Sequence, residues 1–535
     1  MDIIWPDLKI SIDEDEAQLP DFIGHKLGIA DDRISNFRVL RRAVDARKKP
    51  SIYFVYTVGF TLEGSKQELR RILSRNSHLR KNVSEPEKKT EHKPEKKLLH
   101  RPVVIGAGPA GYFAALALAE AGYKPLVLER GEAVENRGKS VQRFWQEGRL
   151  NLESNVQFGE GGAGTFSDGK LTTRIHDDRT RYVLDTFVQF GASPEILFQA
   201  KPHIGTDVLT SIVKNMRKRI QELQGEVRFE TKVTGLSFRD GRLYAVMAGG
   251  EAIPAEAVIL AVGNSARDVY GFLFKAGVMI ERKPFAIGLR IEHDQSFINW
   301  SQYGMESHPR LGAAEYQLTY KDSSTGRGAY SFCMCPGGRV IASSSEEFGV
   351  VTNGMSEWAR DSGVANSAIV VTVRPEDFSS EHPLAGVEFQ RSWEHRAFLL
   401  GGESYRAPAQ NTMDFINNKL TGELSGKYTY APGVVPANLR QTLPPEIGEV
   451  LARSFLDFDR KIKGFLKDSV LTGVETRTSA PVRILRDETG QSPSAKGLFP
   501  AGEGAGYAGG IMSSAVDGLR MAEKLISMYT VSYRE

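Results

Sequence analysis

Cysteine is almost missing from this chain: 535 residues hold Cys333, Cys335 and no other. Two thiols one residue apart make no disulfide framework, so a secreted fold stapled by crossed bridges is excluded and a reducing compartment is expected. Long apolar runs are missing too. The longest, Tyr112–Ala121, is about half of a membrane span, so no transmembrane helix is expected. The first residues, Met1-Asp2-Ile3, lack the basic-then-apolar pattern of a signal peptide, and the expected location is the cytoplasm. A surplus of one charge is absent as well. The 69 Lys and Arg face 66 Asp and Glu, a net charge of +3, which argues against nucleic acid or a membrane as an obligate partner. No His/Cys cluster has the spacing of a zinc or iron–sulfur site. No period of about 20–50 residues marks a solenoid.

What the chain does hold is glycine at telling positions. Residues 103–129 read Val103-Val104-Ile105-Gly106-Ala107-Gly108-Pro109-Ala110-Gly111, then an Ala/Leu-rich run to Ala121, then Pro125-Leu126-Val127-Leu128-Glu129. This is strand, glycine turn, helix, strand, acid. Gly106 permits the tight turn, Gly108 lets a pyrophosphate approach the backbone, and Gly111 lets the helix lie close on the strand. The helix start offers free N–H groups and a partial positive charge to phosphates. Glu129 stands where a carboxylate accepts hydrogen bonds from ribose hydroxyls. Glycine turn, flanking elements and acid agree, and the segment is read as a dinucleotide site of Rossmann type.

A second glycine motif, Gly504-Ala505-Gly506-Tyr507-Ala508-Gly509, repeats the GxGxxG spacing near the end of the chain. A Rossmann half needs about 30 residues and a strand with an acid beyond its helix. Only Met528–Glu535 follows this helix, so a second nucleotide domain is not expected there. Three separated segments instead resemble the glutathione-reductase-like flavoproteins. They are Val103–Glu129, the buried run Ala257–Gly263, and Leu498-Phe499-Pro500-Ala501-Gly502-Glu503. The resemblance implies FAD as cofactor and an acid at the third segment on the ribityl chain. Most relatives have Asp there and this chain has Glu503. Gly509-Gly510-Ile511-Met512 opens the last helix, whose N–H groups would face the N1/C2-carbonyl edge of the flavin. The Gly-rich run Val156–Leu171, rich in main chain able to lie against a ring or pyrophosphate, together with Phe332–Gly338, is similar to a bacterial family of FAD-dependent oxidoreductases, often called FAD-dependent dehydrogenases. That resemblance covers about residues 100–535.

The expected fold is α/β: a discontinuous, glutathione-reductase-like FAD-binding Rossmann domain, an inserted α+β substrate domain and a small N-terminal α+β, ferredoxin-like module. The expected divisions are 1–80 for the module, 81–98 for a charged linker, 99–280 and 471–535 for the FAD domain, and 281–470 for the substrate domain. The resemblance and the glycine pattern place the cofactor against Gly106, Gly108, Pro109, Ala110, Gly111, Glu129 and Arg130. They add Gly161, Gly162, Ala163, Thr165, Lys170, Val233, Ala261 and Gly263. From the end of the chain come Gly502, Glu503, Gly510, Ile511 and Met512. No metal is expected.

If FAD is bound, the expected activity is hydride transfer between a small molecule and flavin N5, and no side chain identifies itself as the base. Reductant comes from the substrate, from NADH or NADPH binding transiently, or from a protein donor. Cys333 and Cys335 read either as a redox pair or as ordinary thiols, since CxC strains a disulfide. Lys170 and Arg174 are cations at a loop exit, open to an anionic substrate or a phosphate. His203 and His293 read as structural. Gly401–Gln410 reads as a loop able to line the substrate pocket. A monooxygenase or halogenase is disfavoured, because Ala261–Asp268 lacks the Asp-Gly fingerprint. The alternative from another class is a structural or sensory flavin, with Arg33, Arg38, Arg41, Arg42, Arg47, Lys48 and Lys49 of the module docking RNA or a protein. Asp13, Glu14, Asp15 and Glu16 offset that charge and favour a solvated face.

Overall fold

The computed structural model describes residues 1–82, 94 and 96–531. A five-stranded parallel sheet forms the first layer, in the order Leu498–Pro500, Val258–Leu260, Val103–Ile105, Leu126–Leu128, Glu226–Arg228. The first four of these strands are three residues long and buried throughout. Short continuous apolar runs of this kind suit a sheet covered on both faces. Helix Pro109–Glu120 packs on one face against helix Ile511–Met528. Their approach is set by missing side chains: a Cβ on Gly518 would lie 2.0 Å from the Ala110 carbonyl, and one on Gly111 would lie 1.8 Å from the Gly106 carbonyl. Both helices can therefore begin at the same end of the sheet. The antiparallel meander Val233–Arg239, Arg242–Ala248, Glu251–Pro254 covers the other face.

The second layer is a seven-stranded sheet. Its order is Thr319–Lys321, Gly328–Cys335, Val364–Val373, Phe285–Asp294, Val470–Glu475, Ala407–Asn411, Val434–Pro436, antiparallel but for the last pair. Phe285–Asp294 and Val364–Val373 pair along their full lengths. Leu289, Ile291, Ile369 and Val371 are fully buried in the largest core cluster, each contributing about 1.5–3 kcal/mol of burial. Two expectations are corrected here. Val470–Glu475, all but its first residue placed in the returning FAD segment by a boundary at 471, is an inner strand of this sheet, and all six of its residues are buried. The end of the expected pocket-lining loop Gly401–Gln410 is also a strand, Ala407–Asn411. Gly401, whose Cβ would lie 1.9 Å from the Arg406 carbonyl, folds the preceding turn back on itself.

The N-terminal residues form a four-stranded antiparallel sheet in the order Ile34–Lys48, Ser51–Leu62, Asp2–Ser11, Arg80–Lys81, with helices Leu19–Leu27 and Lys66–Arg75. Ser65 caps the second helix through the Glu68 N–H at 3.3 Å. Three of the module's seven named basic residues are paired: Arg33 with Glu68, Arg42 with Glu16 and Glu195, and Arg47 with Asp45. The module is joined to the rest of the chain by main chain, with the Arg42 N–H on the Phe198 carbonyl at 2.7 Å and the Ala200 N–H on the Arg42 carbonyl at 2.8 Å. Most of the expected linker, 83–93 and 95, lies outside the described residues. Lys96–Leu98, expected in that linker, is a short strand pairing parallel with Tyr529–Val531. Leu98 is fully buried. No described helix is long and apolar enough to cross a membrane.

Candidate functional site

The two layers enclose a cavity of about 410 Å³, within the usual range of about 300–1,000 Å³ for small-molecule and cofactor sites. Its nucleotide-side wall is built from the first glycine turn. Gly106 has φ of +101° and a Cβ there would strike the Ala261 carbonyl at 2.4 Å, so no other residue closes this turn. Gly108 differs. Its φ is ordinary at −79°, and the nearest atom to an added Cβ is the Gly162 Cα at 3.8 Å. A side chain here would fold without strain and fill the gap between the helix tip and the Gly-rich loop. The first turn of Pro109–Glu120 has no side-chain cap, leaving its N–H groups for a ligand.

The second helix start on the cavity has the same design, and a Cβ on Gly164 of the Gly-rich loop would touch both Ile511 and Pro109. Helix Ile511–Met528 begins at Gly510 without a side-chain cap, and added Cβ atoms at Gly263, Gly509 and Gly510 would meet nothing within 4 Å. Two uncapped helix starts and a strip of bare main chain fit a long ligand with phosphates at one end and a flat, electron-accepting ring at the other. Glu503 lies at the second of these starts. It accepts from the Asn264 amide at 2.7 Å and the Gly510 N–H at 3.3 Å, and burial pushes its carboxyl up to about 7.

The expected positions divide into two groups. Gly106, Gly108, Pro109, Ala110, Glu129 and Arg130 line the cavity, as do Gly162, Ala163, Lys170, Val233, Ala261, Gly263, Glu503, Gly510 and Ile511. Gly111, Gly161, Thr165, Gly502 and Met512 do not, and act on its shape instead. Gly111 sets the helix–strand distance as described. Gly161 and Thr165 contact each other behind the loop, a Cβ on Gly161 falling 2.0 Å from the Thr165 hydroxyl. Gly502 donates to Asp517 at 2.8 Å, and Met512 is packed into the apolar cluster. Glu129 is more constrained than its expected role suggests. Its carboxylate already accepts from the Ala107, Gly131 and Gly159 N–H groups at 2.8–2.9 Å, which ties the turn, the second strand and the Gly-rich loop together. Arg130 is likewise engaged, by Glu153 and Asp268, with its guanidinium 4.2 Å from the Phe158 ring centre.

The Gly-rich loop is packed, with Phe158 and Leu171 buried. Fully buried Arg137 holds it by donating to the carbonyls of Asn155, Val156 and Glu160. The sheet wall is made of charged pairs that the sequence did not disclose. Arg290, fully buried, donates twice to Glu475 at 3.0 Å and once to Asn366 at 2.7 Å. Arg267 and Arg477 both grip Glu394. Burial alone would raise that carboxyl, but the two guanidinium groups hold it well below the usual range. One signal was available: Arg267 opens helix Arg267–Lys275, where a cation opposes the helix dipole and needs a carboxylate partner.

Both thiols reach the cavity. Cys333 is open to it at φ +41°, and Cys335 is buried with its Sγ 3.3 Å from the Cys333 carbonyl. Burial pushes them up to about 12 and about 11, so both are neutral thiols near pH 7, which disfavours thiolate redox chemistry. His203 stacks on Trp358, and His293 is buried against the Phe465 carbonyl at 2.8 Å. Neither these nor Arg174 line the cavity, and nor does 401–410. No group of three or more metal-ligating side chains is present among the described residues.

A parallel sheet with a glycine turn, a second uncapped helix start and an antiparallel sheet closing the cavity define the class: an FAD-dependent oxidoreductase. Residues 100–273 match the family model of pyridine nucleotide-disulphide oxidoreductases, and 284–478 match that of the C-terminal domain of FAD-dependent proteins. Residues 3–61 match a domain of unknown function. The chain is 48% identical over 527 residues to an uncharacterized protein of Clostridium beijerinckii, covering 98% of each, and it belongs to the same family. FAD is its cofactor, and the bare main chain at Gly108, Gly162 and Gly510 fits that group. Similar solved structures include an L-amino acid deaminase of Proteus vulgaris and a glycine oxidase of Bacillus cereus. The first is 10% identical, with 83% of this chain and 93% of that one covered and a TM-score of 0.33. The second is 11% identical, with 80% and 98% covered and a TM-score of 0.32. Likeness at that level says nothing about the reaction.

Proposed function

We propose that this oxidoreductase moves hydride between a small organic molecule and N5 of the flavin, as a dehydrogenase or reductase of glutathione-reductase-like type. The observation that supports this reading is that one cavity joins the Gly108–Gly162 gap, the open helix start at Gly510 and the thiol-bearing edge of the large sheet. Bound FAD supplies the capacity to accept and release hydride. The chain supplies the rest. Main chain at Gly108, Ala110 and Gly162 receives the pyrophosphate. Glu129 takes the adenosine ribose with the acceptor capacity its three N–H partners leave. Glu503 would take the ribityl chain, and the open helix start at Gly510 and Ile511 would favour negative charge on the ring held there. Phe332 and Cys333 line the same cavity and would shield the bound group from water. Among the described residues there is one parallel sheet of this kind, so a nicotinamide donor would bind transiently against the large sheet.

The proposed setting is a cytoplasmic one, with a small-molecule substrate and neither membrane nor nucleic acid as partner. The test is anaerobic titration of the FAD-loaded protein with a panel of organic donors, NADH and NADPH. Bleaching of the flavin bands by one donor class is expected. A flavin that no donor bleaches, while dithionite does, would overturn the reading.

A further inference from the structure

We propose that the cavity takes an organic carboxylate, whose anionic group is received by Lys170 on the sheet side of the site. This rests on the assignment of an FAD site above and names the class of molecule placed against it. Lys170 leaves the Gly-rich loop and is fixed by main chain, bridged to His203 while the Leu171 N–H donates to the Pro202 carbonyl at 2.9 Å. Lys170 lines the cavity, and its ammonium donates to the Met334 carbonyl and lies 3.3 Å from Glu315. Those partners belong to the sheet side, not to the glycine cradle that holds phosphates. An ammonium carries three N–H groups. Two are engaged, and the third is the cavity's available cationic donor on that wall, since Arg477 is held by Glu394 and Ser345.

The charges around Lys170 do not cancel. Glu315 is shared between Lys170 and Lys201, while Arg360 and Asp168 neutralise each other. One positive charge is in excess. Burial would raise the Glu315 carboxyl, yet Lys170 and Lys201 hold it at about 2, so this acid stays charged and the excess persists across the neutral range. The outermost member of the chain, Lys201, is 69% exposed in its side chain, and the ion chain therefore runs from solvent through Glu315 to the cavity. A single surplus charge matches a monoanion. The strand beside it matches an organic one: Met334 stands between Cys333 and Cys335, and these with Phe332 present a ring and two uncharged thiols to the cavity. A carboxylate with an apolar body meets both surfaces, and inorganic phosphate meets only the charge.

The experiment titrates FAD-loaded protein with benzoate, benzamide and inorganic phosphate, read as the shift of the flavin absorption bands. Benzoate is expected to perturb the bands at concentrations about tenfold below benzamide, with phosphate inert. Lys170→Met should weaken benzoate about tenfold and leave benzamide unchanged, and Lys170→Arg should restore most of the loss. Glu315→Gln, which leaves Lys170 less neutralised, should tighten benzoate severalfold. Equal responses to benzoate and benzamide, a phosphate response without a benzoate response, or benzoate binding indifferent to Lys170→Met would each overturn the proposal. If Lys170→Met fails to retain FAD, Glu315→Gln decides, and unchanged benzoate affinity there overturns it. Wild-type protein that is yellow but blind to benzoate sinks this inference alone, whereas protein that takes up no FAD sinks the cofactor assignment beneath it.

Discussion

On the nucleotide side of the cavity, polar contacts are made by main chain. Glu129 accepts three N–H groups from three different segments, and neither helix start, at Gly108 or at Gly510, has a capping side chain of its own, the Gly510 N–H meeting only the Glu503 carboxylate. On the sheet side they are made by long side chains held by opposite charges: Arg290 with Glu475, Arg267 and Arg477 with Glu394, Lys170 and Lys201 with Glu315. The first wall needs small residues at fixed spacing and tolerates little else. The second needs charge partners that lie far apart in the chain, 185 positions in the case of Arg290 and Glu475. A wall made of backbone is suited to holding a constant ligand. A wall made of side chains can be re-specified one residue at a time.

The largest expected effect tests the sheet wall. Arg290→Met leaves the Glu475 carboxylate buried and unpaired, at a cost of about 3–5 kcal/mol. Denaturant unfolding of the apoprotein should show it, and a loss below about 1 kcal/mol would mean that water reaches the pair.

The nucleotide wall is broken by one methyl group. Gly111→Ala pushes a Cβ into the Gly106 carbonyl and should cost about 3 kcal/mol in folding. Gly108→Ala should leave stability within about 1 kcal/mol and abolish FAD retention, because its Cβ enters only the ligand's space. Thermal unfolding of apoprotein and flavin absorbance after gel filtration separate the two. Equal effects on both readouts would remove the distinction between packing glycine and cradle glycine.

A pH effect comes from Glu292, an inner residue of the large sheet. Burial pushes it up to about 7, although it accepts from the Thr429 N–H and hydroxyl. Unfolded, it titrates near 4.5. Between these values the native state holds a proton that the unfolded state has lost, so stability falls as pH rises from about 4.5 to 7 and is fully present below that window. The contribution is about 3 kcal/mol at most. Denaturation of Glu292→Gln from pH 5 to pH 8 should show a flatter dependence than wild type, and parallel curves would count against a buried protonated acid.

The smallest effect is expected at the thiols. Cys333→Ser should move the flavin bands little. Wild-type Cys333, neutral although open to the cavity, should react with a thiol reagent at pH 7 several-fold more slowly than a free thiol. Fast labelling would reveal a thiolate and restore a redox role.

The nucleotide wall was legible in the sequence because its rules are local. Gly106, Gly108, Gly111 and Glu129 stand at spacings that a tight turn, a phosphate and a helix impose on any chain. The closing segment at Leu498–Glu503 was legible for the same reason, and its strand pairs with Val258–Leu260 in the central sheet. The finer division among those positions was not legible. Gly161, Thr165 and Gly502 look like ligand-facing residues in a glycine-rich string, and only packing turns them behind the wall. The boundary at 471 failed because the chain re-enters the large sheet for one more strand before leaving it, and strand order is not written in periodicity.

Composition and motif spacing by themselves determined that this chain is built around one dinucleotide, since phosphate, ribose and close helix packing each demand a particular small or acidic residue within about 30 positions. The tertiary structure decided which charges meet. Arg267, Arg290, Arg477 and Lys170 are four of 69 cations until the two sheets come together. What selects their partners is the cost of leaving a charge alone in a dry interior, and that cost exists only once the interior has formed.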